Sequence, residues 1–270
     1  MRESLNKEKT VYSNNFIMAR VDKTMFDLFA VKPASRWDAG FWIPKYDQTL
    51  SQITYKVASL KDLLNSPIIA PDHVRASKGE YIGKKYTCEY RTLKDLLFTG
   101  LNHVDINYCS DNAFQRLKRT QLRIGDILFA GSGIGAIGRV GIVDKVSKKS
   151  CVGDLFIIRD PKINSYYLYI FLLTIFGQLQ IEKIYHGIQS AKISTSEIGE
   201  IKIALILDKI QSHIETEYKK MAAYHNKAME AKAKGNEAGY MKNIEIAENM
   251  LRELIAKTEA VIRGERKDVI

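Results

Sequence analysis

Between Leu122 and Val146 two short apolar runs, LRIGDILFAG and GRVGIVDKV, are rich in Ile and Val and bounded by Gly and Asp, which predicts two β-strands. The greasiest stretch, YYLYIFLLTIFG from Tyr166 to Gly177, falls short of the roughly 18 apolar residues of a membrane span and predicts a buried core helix. From Leu205 the period becomes helical. Leu207, Ile210, Ile214, Met221, Tyr224 and Ala228 fall on a and d positions, interrupted by Glu217. A second, cleaner seam runs through Ile244, Ala247, Leu251, Leu254, Thr258 and Val261. Gly235-Asn236 and Gly239 between them suit a helix C-cap and a turn. A narrow apolar seam on a highly charged helix calls for a partner. Three arrangements supply one: helices that project and pair with those of a second copy, a hairpin in which the seams meet within one chain, or an ordinary pair packed on its own domain.

The segment joining the two strands carries two cofactor-like patterns. Gly133, Gly135 and Gly138 spell G-x-G-x-x-G, and Phe129 to Gly133 spells the F-x-G-x-G of S-adenosylmethionine-dependent methyltransferases. Either reading requires a helix after the glycines, with its N-terminus meeting the ligand. Gly138 leads instead into RVGIVDKV, which is strand-like, and the chain contains no Pro-Pro pair of the kind that amino-methylating enzymes carry. A β-hairpin whose glycines allow sharp turns or close backbone approach is the more economical reading. No bound cofactor is expected.

A length of 270 residues suggests about two structural units at roughly 150 residues each. All five prolines precede residue 162, and beyond Ile201 the composition turns to Ala, Glu, Lys, Ile and Met, so a mixed α/β region gives way to a helical one. Cys88, Cys109 and Cys151 are odd in number and lack C-x-x-C spacing, which points away from a disulfide framework and a zinc site and toward a reducing, cytoplasmic setting. The N-terminal MRESLNKEKTVYSNN lacks the apolar core of a signal peptide. Lys and Arg exceed Asp and Glu by 41 to 31, an excess that favours a polyanionic partner. Much of it is local: Lys78 to Lys149 holds 13 basic residues against 7 acidic ones.

Three separated stretches carry a resemblance. RWDAGFWIPKYDQTL (Arg36 to Leu50), LRIGDILFAGSGIGAIGRVGIV (Leu122 to Val143) and HGIQSAKISTSEIGEIKIAL (His186 to Leu205) are similar, in this order, to the three recurrent motifs of the specificity subunits of type I restriction-modification systems. The third departs from the family pattern in reading GIQSAKIS. The family usually carries two recognition domains and two helical regions in one longer chain, whereas this sequence has a single copy. It resembles a half-subunit that would dimerise, or a truncation of a longer chain. The resemblance implies an α+β target recognition domain with a small, largely antiparallel sheet, followed by long coiled-coil-type helices. It also implies double-stranded DNA, methyltransferase (modification) subunits and a restriction subunit as partners, with S-adenosylmethionine held by the methyltransferase partner.

Clustered cations give the salt-dependent phosphate affinity of a nucleic-acid binder, and Arg, Asn and Gln tips read base edges. The candidates for DNA contact are Lys84, Lys85, Arg91, Asn102, Arg116, Lys118, Arg119, Arg123, Ser132, Arg139, Lys148, Lys149, Gln189, Ser190 and Lys192. For any one of them a solvated surface charge is the competing reading. His103 and His186 suit core histidines, and Asp126, next to Gly at a strand start, suits a turn residue rather than a metal ligand. No catalytic residues are expected. The divisions expected are an extension over 1–35, a recognition domain over 36–204, a helical dimerisation and spacer region over 205–264, and a tail over 265–270. Dimerisation is expected through Leu207, Ile210, Ile214, Met221, Ile244, Ala247, Leu251, Leu254 and Val261. The competing function is a non-catalytic basic coiled-coil adaptor without DNA sequence specificity.

Overall fold

A computed structural model describes residues 9–11, 19–21, 44–133, 135–147, 149–184 and 192–270. The chain divides into two compact units, Met1–Ser51 and Gln52–Ile270. The first contains a short antiparallel ladder, β1 (Lys9–Val11) with β2 (Ala19–Val21), and helix α1 (Pro44–Leu50). Pro44 sits in the first helical position, where its missing N–H costs nothing. The rest of the expected extension, and residues 36–43 of the first motif, lie outside the described residues.

The second unit is α+β, as expected. In chain order it contains β3 (Val57–Ser59), β4 (Cys88–Arg91), β5 (Leu96–Leu97), β6 (Gly100–Leu101), β7 (Asn107–Cys109), α2 (Asp111–Arg116), β8 (Ile127–Phe129) and β9 (Val140–Ile142). Then come β10 (Ser150–Val152), β11 (Phe156–Ile158), α3 (Ser165–Leu173), α4 (Ile175–Ile184), α5 (Thr195–Gly199), β12 (Lys202–Ala204), α6 (Asp208–Ala233) and α7 (Glu237–Ile262). The expected hairpin is present: β8 pairs antiparallel with β9, Leu128 opposite Gly141, and β11 flanks β8 on its other side. Instead of one small sheet there are several, namely β10-β4-β7, β11-β8-β9, β12-β3 and β5-β6. All pairings in this unit are antiparallel except β10 with β4.

Helix α3 is the hub. Tyr167 through Leu172 are all fully buried, and a helix apolar on every face belongs at the centre of a core. It packs against β9, α4, α6 and α7. Asn164 caps it by accepting from the Tyr166 and Tyr167 amides, and also donates to Glu215 on α6. The single helix expected over Tyr166 to Gly177 is in fact two. Thr174 turns extended at ψ 164°, its hydroxyl bonded 2.6 Å from the Phe171 carbonyl, which competes with the helical ladder and ends α3.

Helices α6 and α7 form an antiparallel hairpin closed at Gly235, with Asn236 accepting from the Gly239 amide to cap α7. This corrects the expectation of helices that project with an unpartnered seam. Ile210, Ile214, Met221, Ala247, Leu251, Leu254 and Val261 are buried within this one chain, in the same hydrophobic cluster as α3, β8, β9 and β12. Ile244 is half-buried, and Leu207, 66% exposed, precedes α6 rather than joining the seam. Farther along α6, His225 lies between the Thr99 hydroxyl (2.8 Å) and the Leu101 carbonyl (2.9 Å) of the β5-β6 hairpin. On α7, Arg252 stacks 4.9 Å over Phe98. The helices therefore run along the domain and share its core, so residue 205 marks a change of secondary structure rather than a break in packing. Among the described residues no helix is long and apolar enough to cross a membrane.

Candidate nucleic-acid interface

The β8-β9 hairpin is anchored at its base by charge. Asp126, fully buried, accepts from the Arg159 guanidinium at 2.7 and 2.6 Å and from the Arg123 amide at 2.8 Å. Its carboxylate is thus occupied by one buried ion pair and a turn, in keeping with a turn residue.

At the other end of the hairpin the glycines do what a tight loop requires. Gly133, Gly135 and Gly138 all have positive φ, and the chain enters β9 directly after Arg139, with no helix to complete a cofactor cradle. Gly131 is a close approach: an added Cβ would lie 2.2 Å from the Phe156 ring and 3.2 Å from the Ile193 carbonyl. That contact joins two motifs distant in sequence, because Ile193 donates to the Gly131 carbonyl (2.8 Å) and Ser132 bridges to Lys192. Ser132, Arg139 and Lys192 are exposed around this junction. Arg139 also borders a cavity of about 480 Å³ between Leu96–Phe98, Ile137–Val140 and Gln178. Gln189 and Ser190 lie outside the described residues, as do His186 and Lys148.

A second group of cations surrounds the β10-β4-β7 sheet. Lys84 and Lys85 come directly after an edge segment in which the Gly83 amide donates to the Tyr108 carbonyl (2.9 Å). Lys84 is paired with Asp105, whose carboxyl is held below its usual range by that contact, and Lys85 sits 5.2 Å over the Tyr86 ring. Lys118 and Arg119 form the turn after α2, next to Gln121, which bridges to Cys151 on β10; both are exposed. Lys149, at the start of β10, bonds Asp111 at the start of α2 at 2.8 Å. Five of the expected contacts, from three separate stretches of sequence, thus lie at the edges of one small sheet, Lys84 and Lys85 by β7 and Lys118, Arg119 and Lys149 by β10.

Three of the expected contacts are engaged within the fold. Arg116 spans Glu80 (2.9 Å), Asp72 (2.7 Å) and the His73 carbonyl (2.6 Å), and its guanidinium beside Glu80 holds that buried carboxyl down. Arg91 is buried against Glu89 (2.9 Å) and the Asn102 carbonyl. Asn102 spends its amide on a turn, donating to Val104 O at 2.6 Å and accepting from Val104 N at 3.2 Å. A guanidinium with its donors occupied internally cannot fork onto a base without first losing those bonds. Arg123, four residues after Arg119, is exposed and lies 3.9 Å from Asp160.

His103 is half-buried beside Arg91 and His225, and burial first, then the Arg91 charge, pushes its pKa down to about 4. The fold therefore favours neutral imidazole, and protonation costs stability as the pH falls from the unfolded value of about 6.5 toward 4. In a histidine-resolved NMR titration the His103 signals should stay fixed from about pH 7.5 down to about 5.5. A midpoint above pH 6 would contradict this environment.

The sequence reading missed Tyr81 and Ile82, which are 52% and 48% exposed beside Lys84 and Lys85. Their only sequence signal is the aromatic and basic mix of YIGKKY. It also missed Lys94, whose ammonium reaches the Asp105 carbonyl and Asn107, each at 3.3 Å, within the same edge. The three cysteines are free and buried, with the Cys109 and Cys151 sulfurs 3.8 Å apart.

No family model matches the chain, and no curated protein matches it. Solved structures similar to the chain include the following two. One is the type I restriction-modification system S subunit from M. genitalium, at 14% identity and TM-score 0.44, over 67% of this chain and 41% of that one. The other is the HsdS subunit from Thermoanaerobacter tengcongensis, at 12% identity and TM-score 0.44, over 64% of this chain and 44% of that one. The chain therefore corresponds to less than half the length of each of these structures.

Proposed function

We propose that this protein binds double-stranded DNA sequence-specifically, without chemistry of its own, as the specificity component of an adenine methyltransferase and restriction complex. The observation that best supports this is the gathering of Lys84, Lys85, Lys118, Arg119 and Lys149 around one small sheet. Neither Lys118 nor Arg119 has an ion-pair partner among the described residues, which leaves both charges for phosphates. Exposed cations held on a rigid layer supply the sequence-independent part of binding. Ser132, Arg139 and Lys192 at the hairpin junction offer a second contact region. The modification partner would hold S-adenosylmethionine and transfer the methyl group, and a restriction partner would cleave.

The test is fluorescence anisotropy of the full chain against a random-sequence duplex pool and against the duplex enriched from that pool. A recognition protein prefers the enriched duplex by roughly 10³ or more, whereas a basic adaptor binds both alike. In the Lys118→Ala, Arg119→Ala double variant, the slope of log K against log salt should shrink by about 2, at roughly 0.9 for each phosphate no longer neutralised. An unchanged slope would remove these two residues from the interface.

A further inference from the structure

Tyr81 and Ile82 are large apolar side chains about half in water, on a segment built too firmly for a passive loop. The Tyr81 amide donates to the Ser110 hydroxyl (3.2 Å) and the Tyr81 carbonyl accepts from the Ser110 amide (3.0 Å). Ile82 bridges to Cys109, and the Gly83 amide donates to the Tyr108 carbonyl, so residues 81–83 form an extra edge against β7. Immediately before them, buried Glu80 is clamped by Arg116 and accepts from the Arg75 amide at 2.9 Å. Backbone fixed on both sides presents the two side chains with little ordering left to lose on binding. Lysines lie close by: Lys84 and Lys85 come next in the chain, Lys84 paired with Asp105, and Lys149 bonds Asp111, the residue after the Ser110 that holds Tyr81. Half-exposed apolar side chains beside lysines match a duplex groove, where phosphates flank base edges and thymine methyl groups.

We propose that the edge segment Tyr81–Lys85 enters a groove of duplex DNA, where Tyr81 and Ile82 make apolar base contacts that set sequence preference while Lys84 and Lys85 hold the flanking phosphates. This rests on the DNA-binding reading above and adds residues and a division of labour to it. Lys84 keeps one donor for a phosphate while bonded to Asp105 and to the Ile106 carbonyl, since an ammonium carries three.

The experiment uses the full chain, a fluorescein-labelled random 30-bp duplex pool and the duplex enriched from it. In the Tyr81→Ala, Ile82→Ala variant, affinity for the enriched duplex should fall about tenfold or more with the salt slope unchanged. Binding to the random pool should stay within about twofold, and selection should return a motif with at least one position flattened. Tyr81→Phe should retain the preference. The Lys84→Ala, Lys85→Ala variant should instead weaken both duplexes alike and reduce the salt slope by about 2. In case the alanine variant misfolds, thymine-to-uracil replacement scanned through the enriched duplex should weaken wild-type binding at the contacted position, where the methyl group is lost.

Wild type that tolerates every such replacement, or a folded alanine variant that keeps full preference, overturns the proposal while leaving DNA binding intact. If the alanine variant loses affinity for a protein partner but none for DNA, the edge is a protein-docking surface and the proposal fails. If wild type shows no preference for the enriched duplex, the functional reading fails along with it.

Discussion

Replacing Leu251 and Leu254 together with lysine is expected to unfold this protein rather than to separate two copies of it. Both side chains are buried by the chain itself, at 0% and 4% exposure. Each leucine contributes about 1.5 to 3 kcal/mol by burial, and a lysine placed there adds the cost of an unpaired ammonium among apolar neighbours. The sum is on the order of 5 kcal/mol or more, comparable with the whole stability of a typical domain. Circular dichroism should show loss of the cooperative thermal transition, and light scattering should show aggregation or an expanded chain. A variant that stays folded and merely halves its mass would mean that the seam is an intermolecular surface after all.

Breaking the Asp126–Arg159 pair should cost nearly as much. Arg159→Met would leave the Asp126 carboxylate buried with only the Arg123 amide as donor, and stranding one member of a buried pair costs about 3 to 5 kcal/mol. Adding Asp126→Asn removes the stranded charge while keeping an acceptor for that amide, and should recover part of the loss. Urea denaturation measures both. The single variant should show a sharply lower midpoint at unchanged m, and the double variant an intermediate one. Equal midpoints for wild type and Arg159→Met would mean that the pair contributes nothing to anchoring the hairpin.

Both predictions concern residues whose type was legible in the sequence and whose partners were not. The helical period of residues 207–261 identified most of the buried face of α7 and part of that of α6, where it passed over Tyr218, Ala222, His225 and Met229, because a helical repeat is a local property. Whether that face meets a second copy, the other helix or the rest of the domain depends on how the chain turns. Here the turn at Gly235 and the all-apolar helix α3 decided for the last two together.

The candidate interface divides in the same way. Charge density over Lys78 to Lys149 pointed to a basic surface, and five of its cations do surround one sheet. The arginine count alone could not separate Arg119, which has no ion-pair partner among the described residues, from Arg116, which is saturated by Glu80 and Asp72 some 36 and 44 residues upstream. A guanidinium finds its partner through space, and sequence separation carries no information about that distance.

The sequence by itself determined a mixed region followed by a helical one, the β8-β9 hairpin in place of a cofactor loop, and much of the apolar faces. These came from side-chain period, from β-branched residues after Gly138, and from composition, all local in the chain. Only the tertiary structure decided that the helical seam is already occupied, that Arg91 and Arg116 hold the fold together, and that Tyr81 and Ile82 stand exposed on a fixed edge. Each of those outcomes is a choice of partner between residues far apart in sequence, made by close packing and by pairing of buried charge.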